Sequence, residues 1–357
     1  MSTKLPSIIP AIPVIDQGSR FVLRLGFGAG IALLAVYGFA FTVPHVSLLI
    51  AVLLLSKPGS PMPLAKSAVL AGVFMLLTGI GVWIVPLLES YAFAAIVLIT
   101  LVLFTVFYIG TKKAHPLLSL LIVTFTLIPV AGVQEQALAI TVIHALASGI
   151  VLAAFVGTLV YLLWPDLVPI KPPTPLIPDN EQATWTAVRG VVIVLPVLLL
   201  ALQNPALYMA AIMKTATLSQ QASTLNAKNA GRELLGSTLL GALLAMLVWQ
   251  GLSLWPSLWM FALWMTLVFC AIGMRLYRLT ASPYPPSFWV NAMITLVIFL
   301  GPAVQDSASG KDVLTASLVR LALFTGVALY AWAAIYLLEQ LRARFGQGLK
   351  SRIDLVR

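Results

Sequence analysis

Apolar runs follow one another along the whole chain, separated by short polar or proline-containing breaks. Runs of about 20 residues match the length of a membrane-crossing helix. None alternates apolar and polar positions as the strands of a membrane barrel do. The pattern predicts twelve spans. The first six are roughly 21–42, 44–56, 64–86, 92–110, 116–132 and 137–164. A polar stretch with Pro165, Pro169, Pro172, Pro173, Pro175 and Pro178 follows, a composition that favours extended chain. The second six are roughly 186–202, 205–220, 229–249, 256–276, 287–301 and 312–341. The expected organisation is a six-helix repeat over 1–164, a linker over 165–184, a second six-helix repeat over 185–341 and a basic tail over 342–357.

The halves share polar landmarks in the same order. Arg24 opens the first span and Arg189 the seventh. Leu55-Ser56 closes the second span and Leu218-Ser219 the eighth. Ala65-Lys66 precedes the third and Ala227-Lys228 the ninth. His115-Pro116 enters the fifth span, and Tyr284-Pro285 enters the eleventh. A proline followed by a Val-Gln-acid phrase closes both, as Pro129 with Val133-Gln134-Glu135 and as Pro302 with Val304-Gln305-Asp306. Six helices per unit is an even number, so both units start on the same side. The repeat is therefore parallel, about an axis along the membrane normal. The fold class this predicts is an all-α polytopic membrane protein, with short or broken helices in equivalent places.

Composition agrees. Of 357 residues, 61% are hydrophobic and only 9% charged, and mean hydropathy is +1.03. The formal charge of +10 raises the question of nucleic acid, but the basic residues recur between apolar runs rather than in a patch. All 21 Lys and Arg residues except Lys214, Lys311 and Arg320 fall in alternate loops or at helix ends facing one side. By the positive-inside rule that side, with both termini, is cytoplasmic. Glu89, Glu135, Asp306 and Asp312 fall on the far side. Residues 1–19 have no apolar stretch ahead of a small-residue cleavage site, so the first span itself serves as the targeting signal. The one cysteine, Cys270, has no pairing or metal motif around it and reads as a packing residue.

Candidate chemistry centres on charges inside spans. Lys214 lies about two-thirds through the short eighth span, with Thr215, Thr217 and Gln220 following. A charge at that depth costs about 2.5–3.5 kcal/mol on insertion scales and faces a cavity or partner. It reads either as an anion contact or as a lysine snorkelling to the surface. Asn204, which starts the eighth span, and Asn291 in the eleventh are candidate helpers for a substrate carboxylate, and His45 starts the short second span. Arg24 and Arg189 read as interface anchors or as the lining of a vestibule. Arg320 can pair with Asp306 or Asp312, as a structural ion pair or a gate. Gln134, Glu135, Gln305 and Asp306 read as gate or proton-coupling residues, or as helix caps and turns. His144 reads as an interhelical hydrogen bond or a proton relay. Trp185, Trp249, Trp259 and Trp264 read as an interfacial belt or an apolar path. Gly26-Phe27-Gly28-Ala29-Gly30 has no preceding strand and reads as a close-packing helix face, not a nucleotide loop. Walker, zinc-protease and nucleophile-elbow motifs are absent from the sequence, and it calls for no cofactor or metal.

The Arg-initiated first span, the short second span ending near Leu-Ser/Lys-Pro, the basic entry to the third span and the six-helix duplication together resemble the fusaric-acid-resistance and aromatic acid exporter superfamily. The resemblance covers about residues 18–341 and lacks the large cytoplasmic domain many such exporters carry after the sixth helix. It implies a bacterial inner-membrane exporter of small organic anions, aromatic carboxylic acids and similar toxic compounds. It also implies a periplasmic membrane-fusion protein as partner, with or without an outer-membrane channel. A homo-oligomer in the lipid bilayer and energy from the proton motive force complete the expectation. An anion channel, a polytopic membrane enzyme and a noncatalytic secretion scaffold are the alternatives.

Overall fold

The computed structural model describes residues 16–113, 116–168, 179–222, 227–310 and 312–354. Within them the chain forms twelve α-helices and no strand: α1 (Gln17–Gly38), α2 (Pro44–Leu55), α3 (Leu64–Ser90), α4 (Ala92–Lys113), α5 (Pro116–Gln134), α6 (Gln136–Leu163), α7 (Asn180–Gln203), α8 (Pro205–Ala222), α9 (Ala227–Leu254), α10 (Leu258–Leu276), α11 (Pro286–Ala308) and α12 (Val313–Asp354). His115, Lys171, Lys311 and the prolines from Pro169 to Pro178 lie outside the described residues.

Two boundaries differ from the sequence reading. α7 begins at Asn180, inside the expected linker. Asp179 occupies the N-cap and accepts from the Asn180 amide, and Glu181 lies in the first turn, where an acid suits the helix dipole. α12 runs on through the expected tail to Asp354, although its apolar part ends at Arg342.

The packing is duplicated. Helix pairs recur when both labels advance by six, counting past twelve to one. Thus α1–α2 repeats as α7–α8, α2–α6 as α8–α12, α3–α5 as α9–α11 and α3–α6 as α9–α12. Contacts between the halves obey the same rule: α1–α10 matches α7–α4, and α2–α11 matches α8–α5. The halves therefore interleave across an approximate two-fold axis instead of meeting as two separate bundles. Of the substantial pairings, only α8–α11 and α5–α7 lack a counterpart of similar strength.

The axis is surrounded by α2, α5, α8 and α11. Along α11, 78% of the apolar window is buried by the protein, against 28% along the peripheral α4. Every residue from Pro44 to Val52 of α2 is buried. Nine helices among the described residues are long and apolar enough to cross a membrane, and α2 and α8 are not among them. α2 has 12 residues, or about 18 Å of helix at 1.5 Å per residue, well short of the ~30 Å hydrocarbon core. Such short elements persist only where other protein covers them, so α2 and α8 both sit inside.

Hydrogen bonds across the bundle bring the basic helix ends to one face. Arg20 donates to the Pro165 carbonyl at 2.7 Å, Lys112 bonds Asn180, and the Tyr277 hydroxyl donates to the Ser56 carbonyl at 2.8 Å. Burial pushes the Tyr277 phenol above its ordinary value. On the far face Asp312 accepts from the Thr315 hydroxyl and the Leu314 amide, which hold its carboxyl below the usual range. Trp83, Trp255 and Trp259 are exposed near helix ends on that far face, the depth an aromatic belt occupies.

Candidate functional site

Among the described residues, ten of the eighteen buried polar or charged ones lie on the four axial helices: His45 and Ser47 on α2, Thr124 and Thr126 on α5, Lys214, Thr215, Thr217 and Ser219 on α8, and Asn291 and Thr295 on α11. The centre of this set is Lys214, whose side chain is 0% exposed. Its Nζ donates to Asn291 Oδ1 at 2.8 Å and to Thr295 Oγ1 at 2.5 Å. Asn291 Nδ2 in turn donates to Ser237 Oγ on α9 at 2.5 Å. Thr295 donates to the Asn291 carbonyl at 2.7 Å. No carboxylate pairs with Lys214 among the described residues.

The sequence explains the geometry. Asn291 and Thr295 are four apart on α11, so both project to one face. Gly241 on α9 gives that face room, since a Cβ there would come within 2.6 Å of Thr295 Cβ and 2.5 Å of the Ala292 carbonyl. Lys214 is eight residues from the end of α8 and Ser237 ten from the start of α9, about 12 and 15 Å along their axes. The cluster therefore lies near mid-membrane. It occupies the α8–α11 contact, one of the two that break the approximate symmetry. At the positions matched by the Leu-Ser landmark, α2 carries Ala51 where α8 carries Lys214.

A charged Nζ here has two neutral acceptors and no counter-ion. Burying an unpaired charge costs several kcal/mol. Snorkelling is not open to Lys214, because its Nζ is held inside the bundle. Thr215 and Thr217 do not extend the polar surface as donors, since their hydroxyls bond the Ala211 and Lys214 carbonyls of their own helix.

The other candidates separate from this cluster. Asn204 sits at the exposed corner between α7 and α8, ten residues from Lys214, and its Oδ1 accepts from the Leu207 amide. It caps α8 instead of joining the Lys214 group. Arg24 bonds Asp166 at 2.6 Å and the Gly59 carbonyl at 3.3 Å, with its guanidinium 4.7 Å from the Phe21 ring centroid. Arg189 bonds Glu339. The two arginines are thus equivalent: each joins the first helix of a repeat to the end of its sixth, at the basic face. Arg24, Lys57, Phe21 and Tyr277 border a cavity of about 210 Å³ there, floored by Leu54, Leu55, Ile150 and Ala153.

On the far face Arg320 pairs with Asp306, and His45 is buried nearby on α2. The matched Val-Gln-acid phrases diverge. Gln134 ends α5 and Glu135 is an exposed N-cap residue of α6 without a side-chain cap bond. Asp306, by contrast, lies inside α11, which runs on to Ala308, while Gln305 is exposed. His144 is exposed on the outer surface of α6, so it makes neither the interhelical bond nor a relay within the bundle. Among the tryptophans, Trp264 packs over Gly251 and none lines the Lys214 cluster.

A family model described as "Protein of unknown function (DUF2955)" matches residues 22–160. The matched stretch runs from α1 to the end of α6, which is the first repeat. No curated protein and no solved structure matches the chain. The Lys214 cluster lies wholly in the other repeat, so the match adds no role for it.

Reasoning from sequence found Lys214 and Asn291 but not Thr295, Ser237, Asp166 or Glu339. Thr295 was accessible through its i+4 spacing from Asn291. Ser237 is 54 residues from Asn291, and only the fold brings it in. Asn291→Leu tests the network. It removes one acceptor of Lys214 and the donor to Ser237, whose own hydroxyl still bonds the Glu233 carbonyl, so thermal denaturation in detergent should show a loss of about 1–3 kcal/mol. Adding Lys214→Met should restore most of that stability, since both partners are then apolar. A double variant no more stable than Asn291→Leu alone would contradict the coupling.

Proposed function

We propose that this chain exports small organic anions, aromatic carboxylates among them, across a bacterial inner membrane at the expense of the proton gradient. The observation that carries the proposal is Lys214: a fully enclosed cation site with neutral partners only, at mid-membrane, among the short axial helices of a duplicated bundle. A substrate carboxylate supplies the missing counter-charge in a low-dielectric site. The basic cavity bordered by Arg24 and Lys57 serves as the entry vestibule, its apolar floor suited to an aromatic ring. Paired short or proline-broken helices in two repeats are the usual frame of a midplane transport site. Enclosure of Lys214 on all sides favours a carrier over a channel, which would keep a wet path past it. Export as the direction, the aromatic class of the anion, and a periplasmic membrane-fusion protein with or without an outer-membrane channel come from the resemblance stated above. A homo-oligomeric assembly and cytoplasmic termini belong to the same proposal. The charge distribution supports the latter.

The test is flux of [14C]benzoate in proteoliposomes with an imposed proton gradient. Uptake that follows the gradient and disappears in Lys214→Met is expected. Flux in Lys214→Met equal to wild type would defeat the assignment. Large voltage-driven currents without gradient coupling would replace the carrier with a channel.

A further inference from the structure

Two polar atoms on the far side of the axial helices are buried without a hydrogen-bond partner: Nδ1 of His45 and Nη1 of Arg320. His45 is only 9% exposed and packs on Gly301 of α11, five residues before Asp306, the partner of Arg320. A buried donor or acceptor left unmade costs about 1–3 kcal/mol, and two such atoms at one end of the bundle describe a place whose ligand is not protein. The backbone adds to this. His45 is the second residue of α2, which begins at Pro44 without any side-chain cap; the Val46 amide already bonds the Val43 carbonyl, so what this helix start offers an anion is the positive end of its dipole. Asp306 binds Nη2 of Arg320, which fixes the guanidinium plane and leaves Nη1 turned away from that carboxylate.

The location relates this group to Lys214. The His45 ring lies directly on Gly301 of α11, close enough that a Cβ at Gly301 would overlap the His45 side chain. Gly301 is six residues beyond Thr295, or about 9 Å along α11. One helix thus carries Asn291 and Thr295 at the mid-membrane site and Gly301 at the outer group. A carboxylate leaving Lys214 toward the acidic face would meet Arg320 and His45 next.

We propose that His45 and Arg320 form a second carboxylate-binding station on the exit side of the path. Nη1 of Arg320 donates to one carboxylate oxygen, and the uncapped start of α2 with the His45 ring supplies the remaining polar contacts. Asp306 orients the arginine and competes electrostatically with the bound anion. The station rests on the anion-transport reading above and adds to it a site of its own.

Equilibrium binding of [14C]benzoate to the purified full chain in nanodiscs tests it. Wild type should bind two benzoates per chain, Lys214→Met one, Arg320→Gln one and the double variant none. Gly301→Ala, which moves the His45 ring without touching a charge, should weaken the second site about tenfold or more. Asp306→Asn should tighten it several-fold, a direction that a merely structural ion pair would not produce. If Arg320→Gln fails to fold, His45→Phe takes its place with the same expected loss. Binding of one benzoate that Lys214→Met alone abolishes would overturn the station and leave the transport proposal standing. Binding of none by wild type would overturn both.

Discussion

Lys214→Met is expected to yield a protein that is more resistant to heat than wild type and unable to move a small carboxylate. Both halves of that expectation come from the same contacts. The lysine side chain is completely enclosed, with neutral oxygens of Asn291 and Thr295 as its partners. Placing a charge at such depth costs about 2.5–3.5 kcal/mol on insertion scales. Met has nearly the same length and no charge, and it fills irregular space well. Asn291 keeps its bond to Ser237 and Thr295 keeps its bond to the Asn291 carbonyl, so the substitution strands little. A rise in thermal midpoint of roughly 3–6 °C follows from those energies for a chain of this size. Sites that lower stability are the ones a protein keeps for function. The accompanying check is ligand stabilisation: benzoate should raise the midpoint of wild type by more than that of Lys214→Met. A variant less stable than wild type, or one stabilised by benzoate as much as wild type, would show that Lys214 is a structural strut.

Much of the architecture was legible in the chain itself, because bilayers make hydrophobic length nearly synonymous with structure. The twelve helices and their duplication were readable from apolar runs and ordered polar landmarks such as Leu55-Ser56 against Leu218-Ser219. Interleaving was not. Nothing local tells α1 to pack on α10 instead of on its own repeat, and that choice depends on small residues meeting across about 240 positions. The site was half legible. A lysine in an apolar helix announces itself, as does an asparagine. Glu135 and Asp306 looked equivalent because they end the same phrase, but α11 continues two residues past Asp306, which lies within the helix and pairs with Arg320. Asn204 looked like part of the site because it is polar and near Lys214 in sequence. Ten residues of helix place it instead at the rim, about 15 Å away.

Gly26→Val is expected to abolish the folded protein, and the reason lies in the interleaving. Helices in a membrane gain no hydrophobic drive from meeting one another, so close backbone approach through small residues does the work. Gly26 and Gly30, four apart on α1, face α10. A Cβ at Gly26 would overlap Cys270 Sγ and come within 3.1 Å of the Thr266 carbonyl, and one at Gly30 would overlap Thr266 Oγ1. Relief requires α1 and α10 to separate, because a backbone carbonyl cannot swing aside. The equivalent contact holds α7 to α4, where a Cβ at Gly190 would come within 2.7 Å of the Phe107 ring. Overpacking a core costs about 1–3 kcal/mol for each ill-fitting group; a β-branched residue against backbone on the contact that joins the halves should exceed that range. The expected readout is loss of the monodisperse peak in detergent and rapid proteolysis in membranes. Gly72 and Gly79 on α3 meet nothing within 4 Å, and their valine variants should remain folded and active. If Gly26→Val were as stable as Gly72→Val, the α1–α10 contact would not be what ties the two repeats together.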